Sequence, residues 1–386
     1  MRKVGPIDFK LLFFAVAILI YGLIMVLSSG AVQGYNATNT PYFYFLQQLK
    51  WAILGVAGAL IALLVPYKFW RRFAGIGIIL SFILLFAVLF SEASVTLKGS
   101  ARWLKIGEFF SFQPSEIAKL ALVLFYAHIL DRYPVRHLKD LALPLGVLLP
   151  LLALVYKQPD LGTTMVLLLT AAAMLLRTEL PLKYFFMAVP VFGLPLFYLV
   201  RHMEYQWTRI LVWLNPWAYA SDDGYQIINA QIAFGSGGLF GVGLGQSRQK
   251  YGFLPENFTD MIFAIIGEEL GLWGTLLLMG LFIGLFVRGY KTARECPDRF
   301  TQLFAFGLTS TLAIQTAINL AVVTGVFPVT GITLPLISYG GSSLFVTMVE
   351  IGLLLNLSRW RKAGVDSGLK SAKRGILGRA KETLGG

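Results

Sequence analysis

The sequence predicts an all-α polytopic membrane protein of about ten transmembrane helices, with a large structured extracytoplasmic loop between the seventh and eighth. Three observations carry this. Of 386 residues, 56% are hydrophobic and 14% charged, and the mean hydropathy is +0.69, far from the soluble globular range. Ten apolar segments each approach the length of about 20 residues that a bilayer-crossing helix needs. Of the 33 Lys and Arg, 23 fall in the connections assigned to one side, 9 on the other, and Lys119 lies within a span. The richer side is read as cytoplasmic, which puts both termini there.

The segments can be placed in order. The first, 9–28, follows the basic lead MRKVGPIDFK and so imitates a signal peptide. No small-residue cleavage pattern follows it and nine more segments do, so it is kept as a span. Spans near 46–65 and 73–91 come next, then 114–130, 141–157, 161–177 and 183–200, and after the long loop 201–260 those near 262–287, 301–324 and 335–357. Residues 1–362 thus form one transmembrane domain, and the basic, Gly-rich tail 363–386 is expected to be disordered.

Several function classes fall away. One cysteine, Cys296, excludes a disulfide framework, the three histidines are scattered, and neither HExxH nor a Walker A pattern occurs. The net charge of +13 sits in short clusters beside apolar spans, which is membrane orientation and not nucleic-acid recognition.

What remains informative is charge that a bilayer should exclude. Glu116 and Lys119 lie three apart on one helical face at the start of the fourth span, either as an ion pair fastening it to a neighbour or as part of a substrate site. Just before them Arg102, Trp103 and Lys105 stand in an outer loop. Trp is a common interface anchor, but a basic outer loop runs against the orientation rule, and an anionic ligand would explain it. Asp160 opens the sixth span, where a helix cap is its ordinary reading. Glu268 and Glu269 inside the eighth span call for a partner or water, and Glu350 in the tenth has no partner legible in the sequence.

The loop 201–260 is too apolar for a flexible linker and is read as partly helical, partly re-entrant. Its run GSGGLFGVGLG has the glycines of a phosphate cradle but no preceding strand, so closely packed backbone is the better reading. Asp260, where the loop meets the eighth span, follows Arg248 and Lys250. It is either a general base at a water-poor mouth or, with Thr259, a helix cap.

The blocks WLKIGEFFSFQPSEIAK, KQPDLGTT, WLNPW, GYQIINAQIAFGSGGLFGVGLGQSRQK, FLPENFTDMIFAIIGEELG and TGITLPLISYGGSSL carry a resemblance. In this order they resemble the signature blocks of the SEDS family of bacterial shape, elongation, division and sporulation proteins, from about residue 10 to 360. Their wording is closer to the division branch, or its sporulation relatives, than to the elongation branch.

The resemblance implies a peptidoglycan glycosyltransferase of the bacterial cytoplasmic membrane that polymerises lipid II on the outer face. It also implies a class B penicillin-binding protein as cross-linking partner, and other division proteins. Asp260 matches the family's essential aspartate, the proposed base. Trp103, Glu116 and Lys119 match cavity residues, and Asp160 matches the aspartate of the QPDLGT block. Arg102, Lys105, Lys119, Arg248 and Lys250 are candidates to hold the pyrophosphate, a task that a divalent cation (Mg or Mn) on Asp260 would share. Phe258 replaces a usual polar neighbour of Asp260, and Glu350 stands where the family is apolar or small. A lipid II transporter and a non-catalytic division scaffold are the alternatives.

Overall fold

The computed structural model describes residues 5–90, 94–97, 100–106, 110–221 and 224–360. A helix stands at each of the ten apolar segments: α1 (Phe9–Ser29), α3 (Phe43–Leu64), α5 (Ala74–Phe90), α6 (Pro114–Arg132), α7 (Ala142–Tyr156), α8 (Leu161–Leu175), α9 (Lys183–His202), α12 (Ile262–Glu295), α13 (Arg299–Val323) and α14 (Gly341–Ser358). Four shorter helices complete the numbering: α2 (Ala31–Thr38), α4 (Tyr67–Arg72), α10 (Glu204–Leu214) and α11 (Tyr225–Gly237). Among the described residues, six helical stretches are long and apolar enough to cross a membrane, beginning at Phe9, Phe43, Leu138, Ile262, Arg299 and Gly341. α5 and α8 are shorter apolar helices.

Local chemistry sets the helix starts. Asp8 caps α1 by accepting from the N–H groups of Lys10 and Leu11, and Asp298 caps α13 by accepting from Thr301 N–H at 3.0 Å. Pro114 opens α6, where its missing N–H costs nothing. The two ends of the described chain meet: Gly5 N–H donates to Arg359 O at 2.9 Å and Asp8 N–H to Ser358 Oγ at 3.0 Å. Asp8 also pairs with Arg288 of α12, so α1, α12 and α14 are locked at one end of the bundle.

Packing relies on close backbone approach. α14 lies along α3, where a Cβ on Gly352 would sit 2.3 Å from Ala59 O and one on Gly55 2.4 Å from the Met348 sulfur. α13 runs through the middle, against α6, α8 and α12. The long loop is largely helical and packs back on the bundle. α11 lies against α12, and residues 238–243 dock on a break in that helix at Gly271, which has φ 65°. Val242 N–H donates to Glu268 O (2.9 Å), Gly243 N–H to Glu269 O (3.0 Å), and Leu272 N–H to Gly238 O (3.0 Å). The Gly-rich run is therefore closely packed backbone and not a phosphate cradle.

One element departs from an all-α reading. β1 (Ser94–Leu97), β2 (Ser100–Ile106) and β3 (Phe110–Phe112) form a small antiparallel sheet before α6. Alternation along ARWLKI, with Trp103 opposite Val95 and Leu104 opposite Phe112, makes a ribbon.

Candidate active site

Asp260 sits in a tight turn between the long loop and α12. Thr259 and Met261 donate their N–H groups to Glu256 O at 3.2 and 3.0 Å, and Thr259 Oγ1 donates to Glu256 Oε2 at 2.6 Å. Glu256 holds φ 54°, left-handed backbone that a residue with a Cβ adopts only when its surroundings enforce it. They do so here through two side chains. Asn319 of α13 donates to Asp260 O at 2.9 Å and to Ile332 O at 2.7 Å, and Ser338 Oγ donates to Thr259 O at 2.7 Å. The first turn of α12 has Met261 at its cap position and no side-chain cap bond, so the helix-cap reading of Asp260 and Thr259 does not hold.

The Asp260 carboxylate faces the segment 330–333. A Cβ on Gly331, whose φ is 75°, would lie 3.4 Å from Asp260 Oδ2 and 4.0 Å from Arg102 Nη1. Arg102 reaches in from β2 and donates to the carbonyls of Gln158 (3.1 Å) and Pro159. Asp160 is next in the chain. Its carboxylate caps α8 by accepting from Thr163 N–H (3.0 Å) and Thr163 Oγ1 (2.9 Å), and it accepts Gln113 Nε2 at 3.2 Å. The start of α8 presses on the same segment, since a Cβ on Gly162 would come 3.1 Å from Thr330 O. Asp260, Arg102 and the start of α8, which Asp160 caps, thus converge on one short stretch of backbone.

Glu116 and Lys119 lie behind it, buried and 2.9 Å apart. Lys119 Nζ also donates to Gln315 Oε1 at 2.5 Å, and Gln315 Nε2 to Thr333 O at 3.0 Å. The ion pair therefore does fasten helices, and it supports the segment facing Asp260. Gln113, Gln315, Asn319 and Gly331 were not singled out in the sequence. The signal for two of them was available: Gln315 and Asn319 are polar residues spaced i, i+4 in an apolar span, hence on one face.

Arg248 and Lys250 belong to a different cluster. Lys250 is 4% exposed, pairs with Glu269 at 3.1 Å and donates to Gly245 O at 2.6 Å. Ser28 of α1 donates to Glu269 at 2.6 Å, while Glu268 accepts from Ser247 Oγ and from the N–H groups of Arg248 (2.9 Å) and Gln249 (3.3 Å). The two glutamates are thus fully employed in holding the GQSRQK turn on α12, and the Arg248 side chain is exposed. Trp103 is half-buried on β2, while the side chain of Lys105 and the tail 363–386 lie outside the described residues. Phe258 fills an aromatic cluster with Tyr44 (4.4 Å between centroids) and Tyr339 (5.5 Å), which accounts for an apolar residue there.

An apolar groove of about 490 Å³ opens between α3, α6 and α14, lined by Trp51, Phe112, Gln113, Ile117, Ser342 and Phe345 among others. Gln113, at its rim, is the residue that touches Asp160. Among the described residues no group of three or more His, Cys, Asp or Glu converges to hold a metal ion. One carboxylate beside an arginine is not a protein cage for a divalent cation.

Fold and site together define a polytopic helical membrane protein in which a carboxylate and a guanidinium approach one glycine, Gly331, near an apolar groove. The chain belongs to the cell cycle protein family of FtsW, RodA and SpoVE, whose model matches residues 9–363. It is 38% identical over 363 residues to the probable peptidoglycan glycosyltransferase FtsW of Geobacter metallireducens, covering 93% of this chain and 96% of that one. It is 39% identical to stage V sporulation protein E of Bacillus subtilis, covering 94% and 99%. A chain of a peptidoglycan synthase complex that coordinates polymerization and crosslinking superposes with a TM-score of 0.76 at 29% identity, covering 92% and 99%. The rod shape determining protein RodA of Thermus thermophilus gives 0.69 at 28%, covering 92% and 97%.

Proposed function

We propose that this chain is the peptidoglycan glycosyltransferase that polymerises lipid II into glycan strands on the outer face of the bacterial cytoplasmic membrane, with Asp260 as its general base. The observation that carries this is the approach of Asp260 and Arg102 to the same glycine, Gly331. Glycosyl transfer from a lipid pyrophosphate needs no nucleotide, since the donor is already activated. It needs a base for the attacking hydroxyl and positive charge for the leaving group. Asp260 takes the proton of the acceptor's 4-hydroxyl as that oxygen bonds to the donor's anomeric carbon. The bond from that carbon to the pyrophosphate breaks, and undecaprenyl pyrophosphate leaves with the bonding pair. In this reading the Arg102 guanidinium, whose Nη1 approaches Gly331, receives the charge of the pyrophosphate.

The apolar groove beside Gln113 suits the polyprenyl tail, which then lies between helices with its headgroup turned towards Asp160 and Asp260. The Lys/Arg distribution supports cytoplasmic termini, hence an outward-facing Asp260 end. The likeness to a synthase complex supports a class B penicillin-binding protein as cross-linking partner, and the similarity to FtsW supports work at the septum with other division proteins. The roles of Trp103 and Asp160 towards substrate rest on the family resemblance, and that of Lys105 on its positive charge in the outer loop.

The test is lipid II polymerisation by the purified chain with its partner, comparing wild type with Asp260→Ala and Asp260→Asn at matched folding. Glycan strands from wild type and none from either variant are expected. Normal polymerisation by the variants would return Asp260 to a structural role and favour a transporter or a scaffold.

A further inference from the structure

α3 and α14 are joined by two buried side-chain amides, one at each end of their contact. At one end Asn356 of α14 donates to the carbonyls of Leu63 and Val65 at 2.7 Å each and of Ala62 at 3.2 Å. These lie where α3 stops, among carbonyls that a helix end leaves unpaired. At the other end Gln48 of α3 donates Nε2 to Ser338 O at 2.9 Å and accepts Gly340 N–H on Oε1 at 3.3 Å. Gln48 is 1% exposed, and the other buried residues of α3 are Ala52, Gly55 and Ala62, small side chains that let α14 come close. Packing asks for one more small residue at 48, so a long amide there has a different task.

The segment that Gln48 grips is a turn that needs holding. Leu336 has φ 64°, left-handed backbone that a branched side chain adopts only under constraint. Ile337 and Ser338 donate their N–H groups to Leu334 O at 3.1 and 3.0 Å, and Leu334 N–H donates to Ser338 Oγ at 2.8 Å. Two bonds then run from this turn to the backbone that ends at Asp260. Ser338 Oγ donates to Thr259 O at 2.7 Å, and Tyr339 N–H donates to Phe258 O at 2.9 Å. Tyr44, one helical turn before Gln48, packs its ring on those of Phe258 (4.4 Å between centroids) and Tyr339 (5.2 Å). The start of α3 thus holds residues 338–340, and these hold residues 258–259.

We propose that Gln48 is a positioning residue for Asp260: its amide fixes residues 338–340 and, through Ser338 and Tyr339, the backbone that sets where the Asp260 carboxylate stands. The inference rests on the reading of Asp260 as the general base. Asn356 makes the same kind of contact between the same two helices and has no such path to the site.

The experiment uses the full chain with its cross-linking partner and compares wild type, Gln48→Met, Asn356→Leu, Ser338→Ala and Asp260→Asn in lipid II polymerisation. Gln48→Met and Asn356→Leu each remove one buried amide at nearly constant volume, about 21 Å apart along α3 at a rise of 1.5 Å per residue. Both should lower the unfolding midpoint, because each leaves buried backbone groups unpaired. Only Gln48→Met should cost turnover. Its kcat is expected to fall about tenfold or more with KM within about twofold, whereas Asn356→Leu stays within about twofold of wild type in both. Hydrogen exchange gives a readout that needs no substrate: Gln48→Met should speed exchange of the amides in 256–261 and 338–340, and Asn356→Leu should not. If Gln48→Met does not fold, Ser338→Ala, which leaves the α3–α14 contact intact and cuts only the bonds at Ser338 Oγ, must show the same loss in kcat.

Equal kcat losses in Gln48→Met and Asn356→Leu, a loss that falls on KM alone, full turnover by Ser338→Ala, or unchanged exchange at 256–261 in Gln48→Met overturns the proposal. Activity in Asp260→Asn would instead overturn the base assignment, and the exchange rates would still report whether Gln48 holds the turn.

Discussion

Asp260 and Arg102 both approach Gly331: the carboxylate Oδ2 and the guanidinium Nη1 lie 3.4 and 4.0 Å from the point where a side chain on that glycine would begin. A Cβ at Gly331 would stand against both groups, which on the proposed reading are the base and the holder of the leaving group. Gly331→Ala would insert a methyl group there and force a left-handed residue, at a cost of about 1 kcal/mol in stability. The loss in polymerisation should be far larger, about 100-fold in kcat, because small displacements of reacting groups are costly. Comparing unfolding midpoint with turnover separates the two effects.

Arg102 ties three parts of the chain together, since it stands on β2, donates to Gln158 and Pro159 carbonyls, and approaches Gly331 beside Asp260. A lysine keeps the charge but not the planar fork. Arg102→Lys should therefore lower kcat/KM by about 10- to 100-fold, the scale of one or two charged hydrogen bonds. Equal activity in the two proteins would show that only the charge of Arg102 is used.

Lys250 is committed to Glu269 beneath the GQSRQK turn, with Ser28 joining α1 to the same carboxylate. Glu269→Gln strands a buried ammonium and should destabilise the protein by about 3–5 kcal/mol. Adding Lys250→Met removes the stranded charge, so the double variant should recover most of the unfolding midpoint. Polymerisation should recover with it. A folded but inactive double variant would mean that Lys250 also serves substrate.

Much of the architecture was legible because membrane spans are written in long apolar runs: a helix stands at each of the ten predicted segments, and among the described residues six helical stretches are long and apolar enough to cross a membrane. The small sheet was not foreseen, because strands of three to seven residues carry little periodic signal. At the site, Asp260 stood out for its place at a loop–helix junction, yet its approach to Arg102 is a tertiary fact that no local pattern encodes. Glu268 and Glu269 called for partners, and those partners lie in a turn some twenty residues earlier that folds back on them. Gln315 and Asn319 passed as ordinary polar residues, since their importance comes from the two segments they join. Phe258 read as a missing polar neighbour until the ring cluster with Tyr44 and Tyr339 placed it.

The docking of the long loop on α12 can be tested with two glycines of one helix. Gly235 and Gly237 both lie in α11, whose sequence would tolerate alanine at either on propensity alone. A Cβ on Gly235 meets nothing within 4 Å, whereas one on Gly237 would stand 2.0 Å from Gly267 O, backbone that cannot turn aside. Gly235→Ala should then stabilise the protein by about 0.5–1 kcal/mol, the ordinary gain from replacing glycine inside a helix. Gly237→Ala should do the opposite. It must push α11 off α12, and the bonds from Val242 and Gly243 to Glu268 O and Glu269 O, which follow within a turn, would lengthen with it. Because Glu268 and Glu269 hold the turn before Asp260, the damage should reach polymerisation as well as the unfolding midpoint. If both alanines behave alike, α11 is not seated on α12 as described, and the loop would be a cover over the site instead of a buttress for α12.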